Sequence, residues 1–64
     1  MDEDRLRLMK ELCVHAGMVL EDAATAAVLV SDVPSEALTI AIAGLRAMSE
    51  RAATILSAAQ ALSE

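Results

Sequence analysis

Apolar residues recur along this chain in steps of three and four. In the first half Leu6, Met9, Cys13, Ala16, Leu20, Ala23, Ala27 and Val30 form one such ladder. In the second half Leu38, Ala41, Leu45, Met48, Ala52, Ile55, Ala59 and Leu62 form another. Steps of this size keep every rung on one side of an α-helix, so each ladder predicts an amphipathic helix with a coiled-coil-like seam. Between them lies Ser31-Asp32-Val33-Pro34-Ser35-Glu36, which holds the only proline and reads as a stop followed by a restart. One all-α domain is expected: helix over about 3–30, turn 31–35 and helix over about 35–63.

Local signals refine this outline. Asp2, Glu3 and Asp4 suit a helix N-terminus, where the macrodipole favours negative charge, and any of the three can cap. Glu3–Arg7 and Arg7–Glu11 have the i,i+4 spacing of surface ion pairs, as does Arg46–Glu50. Asp32 is the best N-cap for the second helix, with Ser35 as competitor, and Pro34 and Glu36 would then fall in its first turn. Gly17 sits inside the first helix at a cost of roughly 1 kcal/mol relative to alanine.

A turn this short makes the two helices antiparallel neighbours. Counting outward from it pairs Val30 with Leu38, Ala23 with Leu45, Leu20 with Met48, Cys13 with Ile55 and Leu6 with Leu62. Ala27 then meets Ala41, and Ala16 meets Ala52, so the backbones approach closely there or another chain fills the gap. Gly44 falls near Ala23, Ala24 and Ala27, which predicts a close helix crossing at that glycine.

More apolar surface remains than a two-helix seam can cover. Leu8, Leu12, Met18, Val19, Ala26, Leu29, Ile40, Ile42 and Leu56 lie off the ladders, together with Val14 and Val28. So wide a stripe predicts a second packing surface, most simply a homodimer that forms a four-helix bundle. The first nine are therefore the candidate dimer or partner interface. Glu21 and Asp22 form its candidate acidic rim, and Arg51 is a candidate for an intersubunit ion pair.

Composition supports this picture. The chain has 64 residues and a single cysteine, so no internal disulfide can form, and small domains without staples commonly rely on oligomerisation. Its formal charge of -5 argues against a nucleic-acid partner, and the absence of Phe, Tyr and Trp removes base stacking and aromatic membrane anchors. A larger, basic protein surface is the expected partner. The uncharged stretches Ala23–Ser31, Ala37–Leu45 and Ala52–Ser63 each fall short of a membrane span. The acidic start Met-Asp-Glu-Asp is unlike a signal peptide, and with a lone free cysteine it points to the reducing cytoplasm.

Chemistry-bearing patterns are sparse. Cys13 and His15 are a nucleophile and a base by type, but residues two apart on a helix do not face each other. Cys13 is expected to be a small buried hydrophobe on the seam. Glu11 and His15 share an i,i+4 face, which predicts a local salt bridge better than a metal site. No Gly-rich phosphate loop, GxSxG or HExxH occurs. No enzyme activity, metal or cofactor is expected.

The run from Cys13 to Ala24, Cys-Val-His-Ala-Gly-Met-Val-Leu-Glu-Asp-Ala-Ala, resembles a segment of a family of short bacterial proteins of unknown function met mostly in pseudomonads. The resemblance extends to Leu45-Arg-Ala-Met48, similar to that family's Leu-x-x-Met spacing. The Pro and Leu that often flank the family's acidic pair are here Val19 and Ala24. The resemblance implies an all-α shape, no assigned activity, and a helix break near Gly17 that would give three helices; the unbroken ladder favours two. The functional expectation is a small acidic protein-binding regulator or inhibitor acting as a homodimer. By class it is similar to phage counter-defence proteins, antitoxins and anti-activators. A structural scaffold subunit is the alternative.

Overall fold

A computed structural model of the chain describes residues 2–64 and shows an all-α helical hairpin. Helix α1 spans Glu3–Leu29, a single 3-10 turn spans Val30–Asp32, and helix α2 spans Ser35–Ser63. The Cα envelope measures 50 × 15 × 10 Å, a flat rod two helices wide. Its radius of gyration is 15.1 Å, against about 11 Å for a compact domain of this length.

Each helix starts where chain chemistry places it. Asp2 caps α1: its carboxylate accepts the Asp4 N–H at 3.1 Å, while Glu3 and Asp4 occupy the first turn. Helix α2 starts differently from expectation. Neither Asp32 nor Ser35 caps it; Pro34 holds that position, with no side-chain bond to the helix. The cause is the proline, whose ring disfavours helical backbone at the residue before it. Val33 is accordingly extended, with φ -81° and ψ 129°. A helix begun at Val33 is thereby blocked, so Asp32 instead closes the 3-10 turn, where the Val33 N–H donates to the Val30 carbonyl at 3.0 Å.

Helix α1 runs unbroken through Gly17, so the chain has two long helices. Neither glycine marks a close helix crossing. A Cβ added at Gly17 or Gly44 would meet nothing within 4 Å, which corrects the packing role expected of Gly44.

The seam matches expectation on one helix and shifts on the other. On α2 every predicted rung is turned inward: Ala52 and Ala59 are buried, and Leu38, Ala41, Leu45, Met48, Ile55 and Leu62 are half-buried. On α1 and the turn that follows it, only Met9, Ala16, Ala23 and Val30 hold their places. The rungs between them are Leu12, Val19 and Ala26, whereas Leu6, Cys13, Leu20 and Ala27 are exposed. Both ladders share every second rung, so the helix is rotated by a fraction of a turn relative to expectation. The ladder actually used continues in step into Val33, which is half-buried beneath the turn; the other would continue into Pro34, which is exposed. At the open end it reaches Arg5, half-buried, whose aliphatic stem can cover apolar surface.

The resulting core is thin. Ala16, Val19, Ala52 and Ala59 are the only buried residues among those described, at 1%, 8%, 2% and 7% exposure. Ala16 and Ala52 were expected to share a small-against-small layer, and they are the two most buried positions.

Candidate protein-binding surface

Among the described residues the hairpin leaves half of its large apolar side chains in solvent. Leu6, Leu8, Val14, Met18, Leu20, Val28, Leu29, Ile40, Ile42 and Leu56 are all exposed, from 40% at Leu6 to 76% at Val28 and Ile40. The total accessible surface is 4869 Å² for a 6.7 kDa chain. A compact monomer of that mass exposes about 3,900 Å², leaving an excess of roughly 1,000 Å².

Of the nine residues expected at the interface, six stay outward: Leu8, Met18, Leu29, Ile40, Ile42 and Leu56. The other three do not. Val19 is buried inside the single chain, and Leu12 and Ala26 are half-buried in its seam. They change places with Leu6, Cys13, Leu20 and Ala27. Position alone could not decide between the two sets, because both flanks of the shared rungs are apolar. The set that is turned inward is the one in step with Val33, which is half-buried directly before the exposed proline.

The exposed residues of α1 form a mixed surface around the acidic pair. Met18 lies one helical turn before Asp22, and Leu29 two turns after it. Val14 and Val28 lie two turns on either side of Glu21. All of these side chains are exposed, so the carboxylates of Glu21 and Asp22 project from an apolar strip. All ten carboxylate side chains of the chain are exposed. A patch with this character suits a partner that offers an apolar groove bordered by Lys or Arg.

The internal ion pairs are few and exposed. Arg7 pairs with Asp4 at 2.8 Å, and this i,i+3 contact takes the place of the expected pairs with Glu3 and Glu11. Arg46 pairs with Glu50 at 3.1 Å as expected. With more than half of each side chain in solvent, such pairs add little stability. His15 is exposed and forms no ion pair with Glu11, and Arg51 is exposed with no salt bridge among the described residues.

Cys13 is also exposed, which corrects its expected place in the core. The side chains of Cys13 and His15 are separated on the helix surface by their spacing, so no nucleophile–base pair forms. Among the described residues no three His, Cys, Asp or Glu side chains gather as a metal site. A shallow recess over the first turns of α1 is lined by Glu3, Asp4, Leu6, Arg7 and Lys10, all from one helix, so it lacks an opposing wall.

The segment Glu3–Asp32 is long and apolar enough to cross a membrane, with a mean hydropathy of 1.5 over its best 18-residue window. Only 11% of that window is buried in the hairpin. Between Glu11 and Asp32 the charged residues are Glu21 and Asp22, in the middle of the stretch.

No protein-family model, curated protein or solved structure matches the chain. The functional reading therefore rests on the surface itself.

Proposed function

We propose that this protein is a small acidic, non-enzymatic regulator or inhibitor that works as a homodimer by binding a larger, basic protein. The observation that carries the reading is the large apolar surface left exposed by the hairpin, interleaved with exposed carboxylates. A chain with four buried residues among those described has little core of its own, and contact with another polypeptide supplies what is missing. The net charge of -5 favours a basic partner and speeds encounter with one. Antitoxins, anti-activators and phage counter-defence proteins share this size and acidity, an analogy of class.

The decisive experiment is affinity capture from the native host with the wild-type protein and with Met18→Glu. Recovery of one basic protein at fixed stoichiometry, lost with Met18→Glu, supports the reading. Assembly into species larger than a dimer, with no second protein retained, favours a scaffold subunit instead.

The hydropathy of Glu3–Asp32 favours one further reading, a membrane-associated helix. Insertion would place Glu21 and Asp22 near the centre of the span, at about 3 kcal/mol each. Burial against protein leaves both carboxylates at the water-facing edge, so protein binding is the reading retained. Co-sedimentation with anionic and neutral vesicles separates the two: retention on lipid would replace the protein-binding proposal.

A further inference from the structure

We infer that one particular face of the hairpin is the self-association surface, and that its occupant is a second copy of this chain. The inference rests on the homodimer reading above and specifies where that dimer forms.

The face follows from the observed seam. With the seam residues at heptad positions a and d, Met9, Ala16 and Ala23 are a positions of α1, and Leu38, Leu45, Ala52 and Ala59 are a positions of α2. The adjoining e positions are then Leu6, Cys13, Leu20 and Ala27 in α1, and Ser35, Ile42, Ser49, Leu56 and Ser63 in α2. In an antiparallel pair the e columns of both helices flank the seam on the same side, and the g columns flank it on the other. One broad side of the rod is therefore made of these two columns.

Three properties point to a second copy as the cover. All nine e positions are exposed, and none is charged. Every other outward column of α1 carries charge, with Lys10 at b, Glu11 at c, Glu21 at f and Asp22 at g. Two chains of charge -5 can thus meet across this side without placing a carboxylate between them. Bundle helices characteristically add one flanking column to their a and d stripe, and here that column is e.

The α2 column also has the symmetry that a self-contact requires. It reads Ser-Ile-Ser-Leu-Ser about Ser49, the midpoint of Ser35–Ser63. A two-fold contact pairs residue i with j and j with i. An antiparallel meeting of two such columns sets Ser49 beside its own copy and Ile42 level with Leu56 of the partner subunit. The area agrees: the surface excess of roughly 1,000 Å² is close to the 800 Å² that each partner buries in a standard interface. The opposite side keeps Met18, Asp22, Leu29 and Ile40 free for the regulated protein.

The test compares Leu20→Glu and Ile42→Glu, on the proposed face, with Ile40→Glu, on the other, using the full chain. Sedimentation equilibrium should give a wild-type dimer at micromolar concentration. It should weaken by roughly a hundredfold or more in the first two variants and stay unchanged in Ile40→Glu. Because the hairpin and dimer can fold together, the wild-type Cys13 thiol provides an independent readout. Its labelling by a disulfide reagent should slow as protein concentration rises through the dimer range. Dimers that survive Leu20→Glu and Ile42→Glu but dissociate with Ile40→Glu overturn the assigned face and leave the homodimer reading intact. A fully helical wild-type monomer at micromolar concentration, with Cys13 labelled at one concentration-independent rate, overturns both.

Discussion

Helices α1 and α2 are almost equal in length, yet they distribute apolar residues very differently. On α2 the seam ladder is bordered on one flank by alternating serine and large apolar residues and on the other by Ala37, Gly44, Arg51 and Ala58. On α1 the seam is bordered by the uninterrupted apolar column Leu6, Cys13, Leu20 and Ala27, and Leu8 and Leu29 add apolar surface on its opposite flank. A narrow stripe has one way to face a partner. A stripe three columns wide has two rotations of nearly equal apolar content. The contrast shows that surplus apolar width, the property that blurs the rotational setting of α1, is also what leaves a broad side of the hairpin uncovered.

The sharpest way to break this comparison is a pair of neighbours on α1. Val19 is buried and Leu20 exposed, although both are large, apolar and adjacent to the same shared rungs. Val19→Asp places an unpaired carboxylate in the small core and should cost about 3 kcal/mol or more, enough to unfold so small a domain. Circular dichroism should report loss of most helix at concentrations where the wild type is folded. If Leu20→Asp instead abolishes helix at every concentration while Val19→Asp leaves it intact, α1 is rotated to its other ladder.

That ambiguity marks the limit of what the amino-acid pattern conveys. The hairpin, the antiparallel arrangement and every seam rung of α2 are legible because their apolar residues follow a single phase. On α1 and the turn that follows it the shared rungs Met9, Ala16, Ala23 and Val30 are legible, but the choice between Val19 and Leu20 depends on that turn. There Pro34 keeps Val33 extended, and Val33 is half-buried where its ladder continues past the helix end. The same proline removes Asp32 from its expected capping role. For the candidate surface, Ile40, Ile42, Leu56 and Met18 are legible as outward residues on the phase of their own helix. Leu12, Val19 and Ala26 are misplaced together, because one rotation moves all three.

A smaller effect tests α2, whose seam is narrow and whose two buried positions, Ala52 and Ala59, are both small. Ala52 is 2% exposed, whereas its neighbour Ala53 lies on the surface. Ala52→Leu forces the helices apart or the added methylenes off-rotamer and should cost about 1–3 kcal/mol. Ala53→Leu should change stability by no more than about 0.5 kcal/mol, as expected of an isolated surface position. Urea unfolding at one fixed protein concentration measures both. Equal values for the two variants would show that the α2 seam tolerates volume, and hence that Ala52 does not sit at a close approach of the helices.

The smallest expected effect carries information through its sign. Gly17 and Gly44 each lie inside a helix with open space where a Cβ would stand, so within one hairpin alanine should be favourable at both. Gly44→Ala should gain about 0.5–1 kcal/mol, since alanine loses less backbone freedom on folding and meets no obstacle. Gly44 is at a g position, on the side opposite the proposed self-association face. Gly17 is half-buried, at the b position beside the e column of α1 and near the middle of that helix. A second copy seated on the e face brings foreign atoms toward Gly17 and none toward Gly44. Thermal unfolding across a concentration series should therefore show a clear gain for Gly44→Ala, with a smaller gain or a loss for Gly17→Ala that deepens as the dimer population rises. The reverse order, with Gly44→Ala penalised at high concentration, would mean that another chain covers the g side and that the two faces have exchanged roles.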